Sequence, residues 1–214
     1  MTIASFGGRL ARSEKGLAAI EFALMLPFLV ILLFYGLELA HFAIARERVS
    51  ELATMVADNA SRMGDQDVLS NKRITEAEIN DVFIGSILQS QELDIQNKGR
   101  IILSSLETNA GGGQWIHWQR CFGNKSHPPV FGEEGDGETD NTFPGMGKPG
   151  KEVKAFPNLA VMFVEVAIDY QPLISAAWAP ATEITDYATF MVRDDRDLSQ
   201  VHNPETVDVS DCEA

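Results

Sequence analysis

Near the start of the chain stands Lys15-Gly16-Leu17-Ala18-Ala19-Ile20-Glu21-Phe22, where a glycine preceded by basic residues meets a long apolar run. Glycine has no side chain, so the backbone around it fits a tight extended cleavage site in a membrane peptidase. Hydrolysis after Gly16 would free an ammonium on Leu17 and leave Glu21 fifth in the mature chain. Glu21 is the anomaly of the segment, because a carboxylate near the end of a membrane span is costly when unpaired. In a bundle of such helices, the Leu17 ammonium of one subunit could neutralise Glu21 of a neighbour and set their axial register. The plainer reading is an interfacial Glu reaching the headgroups. Taken with the glycine and its basic leader, Glu21 reads as a registration residue.

Other chemistry is sparse. His41, His117, His127 and His202 are scattered, without HExxH spacing, and no GxSxG, P-loop or Rossmann glycine pattern occurs. The chain is therefore expected to be neither an enzyme nor a holder of a metal or cofactor. Asp136, Glu138 and Asp140 have EF-hand-like spacing, but Asn141 stands at the glycine position and Gly147 at that of the bidentate Glu. A solvated acidic loop is the expectation. Cys121 and Cys212 show no ligand spacing. In an exported domain they favour a disulfide, worth roughly 4–5 kcal/mol on a chain-entropy argument, over two separate thiols. The net charge of -14 argues against nucleic acid, which needs a clustered cationic face.

The elements that would position these residues begin with a basic leader, residues 1–16, containing Arg9, Arg12 and Lys15 against Glu14. Residues 17–44 follow as a membrane helix. Their centre, Phe22 to Leu37, is uncharged, and the whole is long enough for a bilayer that needs roughly 20 residues. A secretory signal peptide is shorter and ends in a small-residue site, so retention as a single-pass anchor is expected. The positive flank places the N-terminus in the cytoplasm and exports the rest. Pro27 cannot donate its amide to the carbonyl of Ala23, which makes it either a flexible point or a tolerated proline. Glu38 and His41 sit near the outer interface, where they could pair, though a solvated end of the span is the expectation.

Val49, Leu52, Val56, Ala60 and Met63 continue the helix in water over 45–64 with an apolar face, and Gly64 caps it. Residues 65–214 read as an exported α+β domain. Thr75-Glu76-Ala77-Glu78 has capping-box spacing ahead of a short helix. Gly99–Leu106 and Gln114–Cys121 read as a hairpin across glycines 111–113, and 161–170 and 184–193 as two further strands. Trp115 and Trp118, three apart on a strand, are expected on opposite faces. Proline- and glycine-rich residues 122–156 read as a flexible surface loop, and the tail from Asp194 is polar. The simplest assembly is a four-stranded, mostly antiparallel sheet packed on helix.

The segment GLAAIEFALMLPFLVILLFYGLELAHF resembles the N-terminal segment of TadE-like pseudopilins of the Flp/Tad (tight adherence) branch of type IV pili. It shows their Gly–xxxx–Glu–Phe/Tyr site, here Gly16, Glu21 and Phe22, and their early Leu-Pro, here Leu26-Pro27. Trp118-Gln119-Arg120-Cys121 and Val192-Arg193 are similar as well. The resemblance implies a pilin-like fold and cleavage between Gly16 and Leu17 by a prepilin peptidase. It also implies residence in the bacterial inner membrane, with the soluble domain periplasmic, and a minor role in pilus assembly beside other pilins and the Tad inner-membrane machinery. The rival expectation is an unprocessed, signal-anchored periplasmic scaffold that recruits a partner.

Overall fold

The computed structural model describes residues 16–64 and 71–212; Arg9, Arg12, Glu14 and Lys15 of the leader lie outside them. Eight elements follow in chain order. Helix α1 spans Leu17–Arg62 and α2 spans Glu76–Gln89, then a 3₁₀ turn at Gln91–Leu93 leads to α3 at Ile95–Lys98. Strands β1 (Gly99–Thr108), β2 (Gln114–Phe122), β3 (Val161–Asp169) and β4 (Glu183–Met191) complete the chain. The residues group into two compact units, one holding α1 through Ala43 with Pro172–Pro180, the other Ile44–Gln171 with Ala181–Ala214.

In the first unit, α1 is apolar around its whole circumference and its large side chains from Leu17 to Leu37 are exposed. A helix hydrophobic on every face is a membrane span or the core of a large protein. It is long and apolar enough to cross a bilayer. The helix runs unbroken past Pro27.

In the second unit, α1 changes character. Val49, Leu52, Ala53, Val56, Ala57 and Ala60 recur every three or four residues and are buried, while Arg46, Glu47, Arg48 and Glu51 stay exposed. Thr75 caps α2 as its spacing predicts: its Oγ accepts the Glu78 amide at 3.2 Å, and Glu78 Oε2 accepts the Thr75 amide at 2.9 Å. Glu78 Oε1 also accepts the amide of Gly64 at 3.0 Å, so one carboxylate fastens the end of α1 to the start of α2.

The sheet has order β2-β1-β3-β4 with every pairing antiparallel. Nearly all of β1 and β3 is buried, as central strands covered on both faces must be. On one face lie helices. Phe83 of α2 stacks on Phe122 of β2 at 5.6 Å, and Glu76 of α2 meets Arg120 of β2. Arg196 joins Met162 of β3 to the end of α1.

The opposite face is covered by the long connection between β2 and β3, which therefore departs from the expected surface loop. Met146 and Ala155 of that connection are buried against Leu106, Ile116, Val161 and Phe163, with Phe131, Phe143 and Val153 packed beside them. The reason is compositional. Strands apolar on both sides need two covers, and the helices supply only one. Gln114 clamps the connection through both amide atoms, Oε1 accepting the Ala155 amide at 2.6 Å and Nε2 donating to its carbonyl at 3.2 Å. Gly137 and Gly145 have φ of +80° and +110°, and a Cβ on either would collide with a backbone carbonyl.

A second departure concerns the tryptophans. Ser105 pairs with Trp118 and Glu107 with Trp115, so the register shifts across a β-bulge that leaves His117 extra. Residues directly opposite share a face, and Ser105 and Glu107 lie on one face. Trp115 and Trp118 therefore share a face too, because the bulge resets the alternation between them. Trp118 is buried, and Trp115 is half-buried and stacked on His117 at 4.4 Å.

The tail turns back on the domain. Lys72 bridges to Arg196 and Thr75 to His202 in parallel fashion, and Cys212 is disulfide-bonded to Cys121, with Cα atoms 4.9 Å apart across 91 residues of sequence.

Candidate functional site

The candidate site is the apolar head of α1, whose residues from Leu17 to Leu37 are exposed among the described residues. Gly16 precedes the helix, Leu17 opens it, and Glu21 follows one turn later. Positions four apart share a helix face, so Glu21 lies one turn from Leu17 on the same side of α1. Leu17, Ile20, Glu21 and Phe22 are all exposed, as a surface awaiting lipid or other helices must be. Pro27 lies further along the same exposed span.

The second carboxylate of the segment behaves differently. Glu38 is 0% exposed, in contrast to the solvated end expected from sequence. Its Oε1 accepts the Leu173 amide at 3.2 Å, and its Oε2 accepts the amides of Ile174 at 2.8 Å and Ser175 at 3.5 Å. Hydrogen bonds from backbone donors are one way a carboxylate is tolerated in an apolar setting. The sequence offers a faint signal for this contact: 172–180 is a nine-residue uncharged stretch between Asp169 and Glu183.

Within the second unit the histidines are paired one by one with acids. His117 Nδ1 lies 3.0 Å from Glu107, His127 Nδ1 3.3 Å from Glu183, and His202 Nε2 3.2 Å from Asp197. The hydrogen bond to Glu107 holds the His117 imidazolium above its usual range, against the opposing effect of burial. Asp136 and Asp140 accept hydrogen bonds from their own loop, at Glu133 and Thr142. Among the described residues, no group of three or more His, Cys, Asp or Glu side chains converges as a metal site would.

Four charged side chains of the domain, three of them buried, escaped the sequence reading. Glu76 and Arg120 form a two-pronged pair, with Arg120 Nη2 at 2.6 Å and Nε at 3.0 Å from the two carboxylate oxygens. Glu165 on β3 accepts the Val130 amide at 3.0 Å through Oε2, and burial pushes its carboxyl up to about 7. Arg196 donates to the carbonyls of Ala60, Ser61 and Met63 at 3.3, 3.3 and 2.8 Å, a cation at a helix C-terminus. Burial lowers it to about 10, so it stays charged at neutral pH.

The apolar helix and its amphipathic extension are also where the chain resembles known proteins. Residues 16–64 match the family model of TadE-like proteins. The TadE-like match begins at Gly16 and ends at Gly64, so it covers α1 and the residues that open and close it. The sheet domain lies outside the TadE-like region. No curated protein and no solved structure matches the chain.

Proposed function

We propose that this protein is a minor pseudopilin that takes part in assembling the Flp/Tad pilus, after a prepilin peptidase cuts between Gly16 and Leu17. The observation that carries the reading is the exposed Gly16–Leu17–Glu21 arrangement at the head of an uncovered apolar helix, inside the region matched as TadE-like. The freed ammonium of Leu17 meets Glu21 of a neighbouring subunit, and Phe22 and the residues beyond it pack helix on helix. Its partners are the peptidase, other pilins and pseudopilins, the Tad inner-membrane machinery and the bilayer. The role is one of assembly, and through the pilus of adhesion, rather than catalysis.

The basic leader favours a cytoplasmic N-terminus and a periplasmic domain in the inner membrane. The Cys121–Cys212 bond suits that oxidising compartment. N-terminal sequencing of protein extracted from membranes tests the reading: the expected first residue is Leu17, whereas an intact Met1 would favour the unprocessed periplasmic scaffold. Glu21→Ala is expected to leave cleavage intact while reducing recovery with neighbouring subunits about tenfold, the effect of losing about 1.4 kcal/mol. Undiminished assembly would remove the registration role.

A further inference from the structure

We infer that the connection Pro172–Pro180 is a second membrane-contacting element, a short apolar loop seated in the outer leaflet beside α1 and locked there by Glu38. The inference rests on the reading of α1 as a membrane span.

Four observations lead to it. The loop Pro172-Leu-Ile-Ser-Ala-Ala-Trp-Ala-Pro180 contains no charged residue. It belongs to the same compact unit as the apolar half of α1. Leu173 is 60% and Ile174 38% exposed, and Leu37 and Leu39 of α1, on either side of Glu38, are exposed as well. Two large aliphatic side chains are thus bare on a loop whose amides meet Glu38 of a helix that is itself bare.

Depth fits the same picture. Glu21 and Glu38 are 17 positions apart in one α-helix, about 25 Å along its axis. The hydrocarbon core is about 30 Å thick, so a span with Glu21 at its inner edge puts Glu38 near its outer edge. There an ionised carboxylate must be neutralised or supplied with donors. The amides of Leu173, Ile174 and Ser175 are those donors. The exchange is reciprocal, because the non-helical turn also carries backbone amides that lipid cannot satisfy. The turn is closed further by the Trp178 amide donating to the Ser175 carbonyl at 3.0 Å. Trp178 itself is half-buried, and indole prefers the headgroup level of a bilayer.

Lipid is the occupant that these features select over a protein partner. A protein-binding loop at this place would be expected to carry polar groups for specificity at its rim, and none of its side chains is charged. The consequence for the pseudopilin is that its two membrane carboxylates are not equivalent. Glu21 is exposed and available to a neighbour, whereas Glu38 is committed to its own chain.

The test uses the full chain in phospholipid vesicles, with a spin label placed in turn at Leu173→Cys, at Leu29→Cys in mid-helix and at Val130→Cys, an exposed site in the second unit. The native disulfide is left intact. Collision with oxygen against a water-soluble nickel complex reports depth. Labels at Leu29 and Leu173 are expected to favour oxygen, with Leu173 the shallower, and Val130 to favour nickel.

Leu173 behaving like Val130 while Leu29 remains in lipid would overturn this inference and spare the membrane span. Leu29 in water would overturn both. Adding Glu38→Ala is expected to shift Leu173 towards nickel by several-fold; an unchanged depth would remove the lock, and should that variant fail to insert, the wild-type depths still decide whether the loop enters lipid.

Discussion

Replacing Glu165 by Gln separates the cost of a buried charge from everything else that holds the sheet together. Glu165 sits on the central strand β3, its Oε2 bound to the Val130 amide and its Oε1 buried without a hydrogen-bond partner among the described residues. Burial raises the carboxyl from its ordinary 4.5 to about 7, and the amides of Val130 and Phe131 only partly oppose it. Between those values the unfolded chain has released the proton and the folded chain has kept it. Stability is therefore full below about pH 4.5 and is lost as pH rises through about 7. At about 1.36 kcal/mol per pH unit, the loss is about 1 kcal/mol at pH 5 and about 3 kcal/mol at pH 8.

Gln resembles the protonated acid in shape, keeps an acceptor for Val130 and does not titrate. Urea unfolding of the detergent-solubilised chain, followed by tryptophan fluorescence, should place Glu165→Gln close to wild type at pH 5. At pH 8 the variant should be more stable by about 2–3 kcal/mol. The comparison between two pH values cancels the detergent and the intrinsic effect of the amide. Parallel pH dependence of the two proteins would refute the reasoning, since it would mean that the Glu165 carboxylate is hydrated where the packing says it is dry.

Arg120→Ala should cost about 3–5 kcal/mol, because it leaves Glu76 buried without the guanidinium that satisfies both of its oxygens; Glu76→Gln with Arg120→Met should recover much of that loss, measured by the same urea midpoint. Reducing the Cys121–Cys212 bond should lower stability by about 4.6 kcal/mol, the loop-closure entropy for a separation of 91 residues, read as a shift of midpoint with and without a phosphine reductant.

Much of this protein is local in its sequence. The continuous apolar run of α1, its switch to a three-and-four spacing at Val49, the Thr75–Glu78 capping box and all four strands are visible there. Each depends on contacts between near neighbours or on a repeat that marks one face. Gly16, Leu17 and Glu21, on which the proposed site rests, stand out for the same reason, since they lie within one turn and a half of helix.

Apart from the Cys121–Cys212 pair, contacts between distant segments were not legible. That residues 123–160 cover a sheet face follows from a shortage of helices, which no window of sequence displays. The shared face of Trp115 and Trp118 follows from a bulge fixed by pairing with Ser105 and Glu107. Arg196 lies in a tail whose polarity suggests solvent, yet its charge is used at the end of a helix more than 130 residues earlier. Glu38 makes the contrast sharpest. Its sequence neighbourhood marks a costly carboxylate in an apolar helix, but only the fold brings amides from a loop beyond β3 to receive it. Periodicity determined which segments would be helix, strand and membrane span, and the closure of long loops decided where the charges among them came to rest.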